Sequence, residues 1–447
     1  YENGQELDIL AYQLPENFNP NSTYTLLVAF HQWGGNHLSP FSTDFDEEAN
    51  DREWIFLSPF GGSVNNYNHQ GAQYMVKKAL EWMIENYNIN EKKIYMVGGS
   101  MGGASGMIYA NNHLNPNEPM VAATASASGI LDCERRAVEM DGNNSMIEWF
   151  GGNWVEFPFE YHRNSAIYFA DSTQSMHYNL KYTPLYFDFG ITESHRTHAE
   201  EMYAIMNGYN DNLWIDQSPE GSHGFPVFDE NHVCNWLNQF ELRNNPDSIN
   251  VNLDEPSRAY WIEAYNQLSN DNFIKIDARK EDNYVISVDQ YLNSDSLILH
   301  LLETEYLIDN NISFYIDVQS VNIGFTGSIF NGTNITNINA LVPNDTLCTS
   351  FNFNIGENDI IWIERHDLSN GVCLDYNPYI ISFDFLPPED VSQDGQWDIV
   401  DIVLIINHIL NIDILTDTPL DNADLNDDSI VDILDIINLV NIILNNY

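Results

Sequence analysis

The sequence predicts a multidomain chain with an α/β unit over residues 1–245, in which helices cover both faces of a mostly parallel sheet. A β-sandwich-like unit over 246–386 and a small α-helical unit over 387–447 follow it. Three observations predict this order. The apolar segment Lys93-Ile94-Tyr95-Met96-Val97 runs into Gly98-Gly99-Ser100-Met101-Gly102, the pattern of a strand turning sharply into a helix. Short β-branched and aromatic runs separated by Asn, Asp, Gly and Ser fill the middle of the chain, and an acidic twelve-residue pattern occurs twice near its end. A length of 447 residues also exceeds what one core organises.

In chain order, Leu26-Leu27-Val28-Ala29-Phe30 reads as a buried strand ending in His31-Gln32-Trp33-Gly34-Gly35. The strand into Ser100 follows. In so tight a turn a side chain two residues before or after the serine would collide with the neighbouring element, which accounts for Gly98 and Gly102. The turn lifts the Ser100 hydroxyl above the sheet edge at a helix N-terminus, where unpaired N–H groups favour developing negative charge. Ser100 is the expected nucleophile, with the backbone N–H groups of Met101 and Trp33 as the expected oxyanion donors and His31 as a loop brace. Partners are sought in the order serine, acid, histidine. His223, between small residues after the strand-like Leu213-Trp214-Ile215, is the expected general base. Pro184 to Phe189 is a strand with Asp188 inside it and Glu193 in the loop beyond; Glu193 is the preferred acid and Asp188 the second choice. His162, His195 and His198 read as surface or pocket residues.

With these motifs in place, residues up to about 243 resemble an α/β-hydrolase of the secreted esterase and prolyl-oligopeptidase-like group. The resemblance extends to Glu53-Trp54-Ile55-Phe56-Leu57-Ser58-Pro59 leading to Gly61-Gly62, to a helix it implies over Gln73 to Tyr87 before the strand into Ser100, to Phe150-Gly151-Gly152 and to Ser165. Two positions depart from the group's usual pattern: Glu193 stands where Asp is common, and Gln32 where His-Gly is common. The resemblance implies a serine hydrolase working through an acyl-enzyme. The aromatic run Trp149, Phe150, Trp154, Phe157, Phe159 and Tyr161 lies between elbow and acid strand, the segment that forms a lid or pocket wall in such folds.

The middle of the chain begins after Asn244-Asn245-Pro246-Asp247 and closes at Leu386-Pro387-Pro388. Phe273 to Ala278, Tyr284 to Val288, Leu297 to Leu301, Ile312 to Val318 and Ile360 to Ile363 read as its strands. Several short strands with such turns suggest a β-sandwich.

In the tail, Asp390, Ser392, Asp394, Gln396, Asp398 and Asp401 fall at loop positions 1, 3, 5, 7, 9 and 12, and Asp424, Asn426, Asp428, Ile430, Asp432 and Asp435 repeat them. Alternate oxygen ligands, a backbone carbonyl at position 7 and a closing carboxylate at position 12 suit a hard cation, so two calcium ions are expected. Asp at position 12 and a single apolar helix after each loop make residues 389 to 447 resemble a type I dockerin. That resemblance implies a cohesin-type partner on a scaffold or cell-surface protein. Ser429 replaces the turn glycine of the second loop, and Ile399-Val400 and Ile433-Leu434 are apolar where dockerins often carry hydroxyl residues.

With 66 acidic against 16 basic residues and a net charge of −50, the chain is a poor ligand for nucleic acid or anionic membranes. No apolar run suggests a membrane span, and the missing initial Met together with the calcium loops fits a secreted protein, extracellular or at the cell surface. Four cysteines allow Cys133 with Cys234 and Cys348 with Cys373, or free buried thiols. Because dockerins commonly attach enzymes of polysaccharide breakdown, a carbohydrate esterase of feruloyl or acetyl type acting on a polysaccharide-linked ester is the leading expectation. A prolyl-oligopeptidase-type peptidase, a biopolyester depolymerase and a non-catalytic calcium-dependent adhesion protein are the alternatives.

Overall fold

The computed structural model describes residues 6–294 except 142–144, 219–222, 265–266, 282–284, and beyond them the strands and helices given below with scattered flanking residues. The chain divides into two compact units. The first runs through Tyr260 and takes in Gln267–Ala278 and Tyr291–Asn293. Its elements alternate along the chain: β1 (Leu10–Gln13), β2 (Tyr24–Phe30), α1 (Phe45–Asp51), β3 (Ile55–Pro59), α2 (Gln70–Asn86), β4 (Ile89–Gly99), α3 (Met101–Asn112), β5 (Ala123–Ala127) and α4 (Cys133–Glu139). Then come α5 (Met146–Trp149), α6 (Pro158–Arg163), β6 (Leu185–Asp188), α7 (Arg196–Met206), β7 (Leu213–Ile215) and α8 (Glu230–Leu237). The sheet order is β1-β3-β2-β4-β5-β6-β7, with β1 antiparallel to β3 and the remaining pairs parallel.

Strands β2, β3, β4 and β6 each feed two cores because successive side chains point to opposite faces. On one face Leu26, Val28, Ile55, Leu57, Ile94, Met96, Leu185 and Phe187 pack with Val76, Leu80 and Met83 of α2, Met107 and Ile108 of α3, and Met202 and Met206 of α7. On the other face Leu27, Ala29, Phe56, Tyr95, Val97 and Tyr186 meet Phe45 and Ala49 of α1 and Val233, Trp236 and Leu237 of α8. Strands buried on both faces read as continuous apolar runs, as β2 and β4 do.

This unit holds more of the chain than its first 245 residues. The strand Ser248–Leu253 is tied to it by Asn252, which receives Asn179 Nδ2–H at its carbonyl (2.8 Å) and donates its own Nδ2–H to Ser175 O (2.7 Å). Arg163 Nε–H donates to Asp254 Oδ2 at 2.7 Å. Cys133 and Cys234 are buried free thiols, one of the two arrangements the sequence left open, and burial pushes each to a pKa of about 12. Residue 373 lies outside the described residues.

In the second unit, Ile262–Ala264 pairs antiparallel with Leu297–Leu299, which pairs parallel with Ile381–Phe383. Val285–Leu292 pairs parallel with Ser313–Ile316, and Ser313–Ile316 pairs antiparallel with Leu347–Thr349. Ile323–Asn331 pairs antiparallel with both Asn334–Val342 and Ile360–Asp367. The hairpin of Ile323–Asn331 and Asn334–Val342 is absent from the strands read off the sequence.

The tail contributes α9 (Ile399–Ile409) and α10 (Ile433–Asn445), each beginning two residues before a position-12 aspartate. Val391, Ile405, Ala423 and Leu439 form its small core. Among the described residues no helix is long and apolar enough to cross a membrane.

Candidate active site

The sharp turn between β4 and α3 sets Ser100 at φ 55°, ψ −120°, a left-handed conformation that costs an L-residue energy. Three hydrogen bonds pin it there: Ser100 N–H donates to Ala127 O (2.7 Å), and Ser100 O accepts from Gly103 N–H (3.0 Å) and Ile130 N–H (3.2 Å). The flanking glycines serve close approach. A Cβ at Gly98 would overlap the carbonyl of Gly102, and one at Gly102 would overlap the carbonyls of Phe30 and His31. Gly99 leaves room for the loop after His223, since a Cβ there would lie 2.6 Å from Phe225 N.

His223 Nε2 lies 2.5 Å from Ser100 Oγ, and His223 Nδ1 lies 2.7 Å from Glu193 Oε2. The Glu193 side chain is 6% exposed whereas that of His223 is 39% exposed, so the carboxylate is shielded and the imidazole opens to solvent. Glu193 is carried by the loop after β6, which is zipped to the segment after β7. Asp216 N–H donates to Phe187 O (2.8 Å), Ser218 N–H to Phe189 O (2.9 Å) and Ile191 N–H to Ser218 O (3.2 Å). These bonds extend the β6–β7 pairing past the strand ends and set the acid loop beside the chain leading to His223.

Asp188 stands at the end of β6, buried, and has no hydrogen bond to His223; its Oδ1 lacks a partner. Burial, reinforced by the nearby charges of Asp216 and Asp229, pushes its pKa up to about 7. A carboxyl group half-protonated near neutrality is ill suited to hold an imidazolium.

Met101, as the first residue of α3, has no intrahelical acceptor for its N–H. Trp33 lies in a turn closed by Gly34 N–H to Val64 O (2.7 Å) and Gly35 N–H to Gln32 O (2.9 Å), with its indole 59% exposed. His31 braces this loop: it is buried, with Nδ1 2.9 Å from Gln32 O and Nε2 2.9 Å from Phe60 O. The Gln32 side chain fills the space beside Gly224, whose φ of +81° and lack of a Cβ admit it.

Of the aromatic segment, Phe150, Phe159 and Tyr161 are buried, and Phe150 and Tyr161 pack with Tyr67, Met101 and Ile130. Trp149 stacks on His69 at 4.4 Å and donates Nε1–H to Asn65 O (2.9 Å). Phe157 is exposed. Most of this segment is therefore core that packs with Met101, the residue after Ser100, and it is not an open platform. His162 and His198, read from the sequence as surface or pocket residues, are buried, because each ring stacks or packs on an aromatic neighbour. The sequence reading also missed the placement of His195, whose ring lies 5.2 Å from that of His223. Its position two residues after Glu193 was the available signal.

In the tail, Asp401 and Asp435 are fully buried. Asp401 Oδ1 accepts Ser392 N–H (2.8 Å); Asp435 accepts Leu425 N–H at Oδ1 (2.9 Å) and Asp432 N–H at Oδ2 (2.7 Å). Residues 387–447 contain no Lys or Arg to offset these buried carboxylates, a donor set that fits a cation. Asp424 and Ile430 are described, while Asp390, Asp394, Gln396, Asp398, Asn426 and Asp428 lie outside the described residues.

Residues 388–444 match the family model for the dockerin type I domain. This segment is a type I dockerin domain. Domains of this type bind calcium, and they imply a cohesin partner. Among curated proteins none matches the chain. Solved structures similar to the first part of the chain include an S-formylglutathione hydrolase from Staphylococcus aureus, 14% identical over 52% of this chain and 92% of that one, TM-score 0.41. A carbohydrate esterase from gut microbiota is 16% identical over 52% and 90%, TM-score 0.42. An acetyl xylan esterase from Paenibacillus sp. R4 is 15% identical over 52% and 79%, TM-score 0.38. The first unit is a mostly parallel sheet covered by helices on both faces, with the sharp strand-to-helix turn at Ser100.

Proposed function

We propose that the protein is a secreted serine esterase that cleaves carbohydrate-linked feruloyl or acetyl esters through an acyl-enzyme. The observation that carries this reading is the unbroken chain Glu193–His223–Ser100, with contacts of 2.7 and 2.5 Å. Ser100 Oγ attacks the ester carbonyl while His223 Nε2 takes its proton, and Glu193 fixes the tautomer with Nδ1–H and stabilises the imidazolium. The N–H groups of Met101 and Trp33 receive the oxyanion. His223 then returns the proton to the leaving alkoxide, and water releases the acid by the same steps in reverse.

The carbohydrate assignment rests on the dockerin, which would attach the enzyme to a cohesin-bearing scaffold or cell-surface protein once two calcium ions neutralise its loops. Equivalent positions of α9 and α10 expose apolar side chains, Ile399 with Ile433, Val400 with Leu434 and Val403 with Ile437, and this repeated face suits a protein partner. The part of residues 246–386 that lies outside the first unit would form a β-sandwich-like module.

The test is hydrolysis of methyl ferulate, acetylated xylan, p-nitrophenyl esters and a prolyl anilide by wild type and Ser100→Ala. Serine-dependent release from ferulate or xylan is expected. Serine-dependent turnover of the anilide alone would move the protein to the peptidases.

A further inference from the structure

A second group of ionisable side chains backs the candidate histidine. His195 Nδ1 lies 3.6 Å from Glu139 Oε2, and His198 Nε2 lies 3.8 Å from Glu139 Oε1. Arg136, three residues before Glu139 on α4, places Nη1 3.2 Å from Glu139 Oε2. The ligand-capable atoms of Glu139, His195 and His198 lie within 4.8 Å of one another, a spacing that could suit a metal ion.

Proton placement argues otherwise. His198 Nδ1 accepts backbone N–H groups from Leu131 (3.2 Å) and Asp132 (3.4 Å), so the neutral ring carries its proton on Nε2, the atom a metal would need. A guanidinium already engages the carboxylate that would be the third ligand.

We infer that Glu139 is a positioning residue, whose charge faces His195 behind the ring of His223 and neutralises Arg136 on the same helix. The inference rests on His223 acting as the general base. Burial holds His195 down at about 4, so it is neutral when His223 takes its proton, and contact with His198 holds Glu139 down at about 2, so it stays ionised. The other groups facing this cluster are Asp132, beside His198, the hydroxyl of Tyr67, beside Arg136, and Glu193 on His223 itself. Removing the charge of Glu139 leaves the Arg136 cation uncompensated and opposes the imidazolium that turnover requires.

The experiment is the pH dependence of kcat/KM for p-nitrophenyl acetate in the full-length wild type, Glu139→Gln, Arg136→Gln and the double variant. Glu139→Gln is expected to move the acid limb down by about 0.5–1 pH unit and to lower kcat about tenfold with little change in KM. Arg136→Gln should move the limb up, and the double variant should return it toward wild type. If Glu139→Gln does not fold, the upward shift in Arg136→Gln still decides. A limb that stays in place in the folded variants, whatever happens to thermal stability, would overturn the inference. So would activity lost with EDTA and restored by zinc. Labelling of the wild type by a fluorophosphonate separates the outcomes: labelling with an unmoved limb sinks only the role of Glu139, whereas no labelling sinks the esterase reading beneath it.

Discussion

Replacing Glu193 by Gln removes one charge and little volume, and the site geometry sets the size of the effect. Its carboxylate oxygen is 2.7 Å from His223 Nδ1, which puts the centres of the carboxylate and the developing imidazolium roughly 4 Å apart. At an effective dielectric constant of about 20 that separation is worth ~4 kcal/mol. Because the His223 side chain is 39% exposed, solvent screens part of this, and about 2–4 kcal/mol is the expected loss of transition-state stabilisation. The amide can also donate toward Nδ1 and favour the wrong tautomer. The expected outcome is a fall in kcat for p-nitrophenyl acetate of about 30- to 1000-fold with KM nearly unchanged. Asp188→Asn, at a carboxyl group that does not touch the histidine, should stay within about threefold. A Glu193→Gln enzyme within threefold of wild type, beside an Asp188→Asn enzyme that loses activity, would refute the assignment.

Other outcomes follow from the same structure. Gly102→Ala drives a Cβ into the carbonyls of Phe30 and His31, backbone that has no room to yield, so the urea midpoint should fall by the equivalent of about 2 kcal/mol or more; an unchanged midpoint would contradict the packing argument. The raised pKa of Asp188 means that its contribution to stability is full below about pH 4 and is lost as pH rises through about 7. Compared with Asp188→Asn, the wild type should therefore lose thermal stability across that window, and parallel Tm curves would contradict this. Calcium at about a hundred times its Kd should stabilise the dockerin domain by ~2.7 kcal/mol, seen by circular dichroism as a later-melting helical transition that EDTA reverses; a melt indifferent to EDTA would contradict calcium binding.

Much of the candidate site's geometry was legible because its physics is local. Gly98, Ser100 and Gly102 mark a turn whose glycines are required by contacts at short range, and the apolar runs of β2 and β4 announce strands buried on both faces. The candidate acid was harder to choose, since two carboxylates five residues apart differ only in burial and reach, which depend on how β6 and β7 are zipped beyond their ends. The group behind His223 was not legible at all. Arg136 with Glu139 and His195 with His198 are ordinary helical pairs, and only tertiary packing of α4 against α7 joins them. The extension of the first unit past residue 245 depends on Asn252 and Asp254, polar residues whose burial no hydropathy pattern reveals. The hairpin of Ile323–Asn331 and Asn334–Val342 is interrupted by Gly324, Gly327 and several Asn, which read as turns until they are paired across strands.

The central claim, that Ser100 is a nucleophile activated by His223, is tested most directly by labelling with a fluorophosphonate. The account predicts stoichiometric labelling of the wild type on the peptide containing Ser100, none in Ser100→Ala, and slowing by at least about a hundredfold in His223→Ala. A Ser100→Ala protein that labels and hydrolyses esters at the wild-type rate would contradict it.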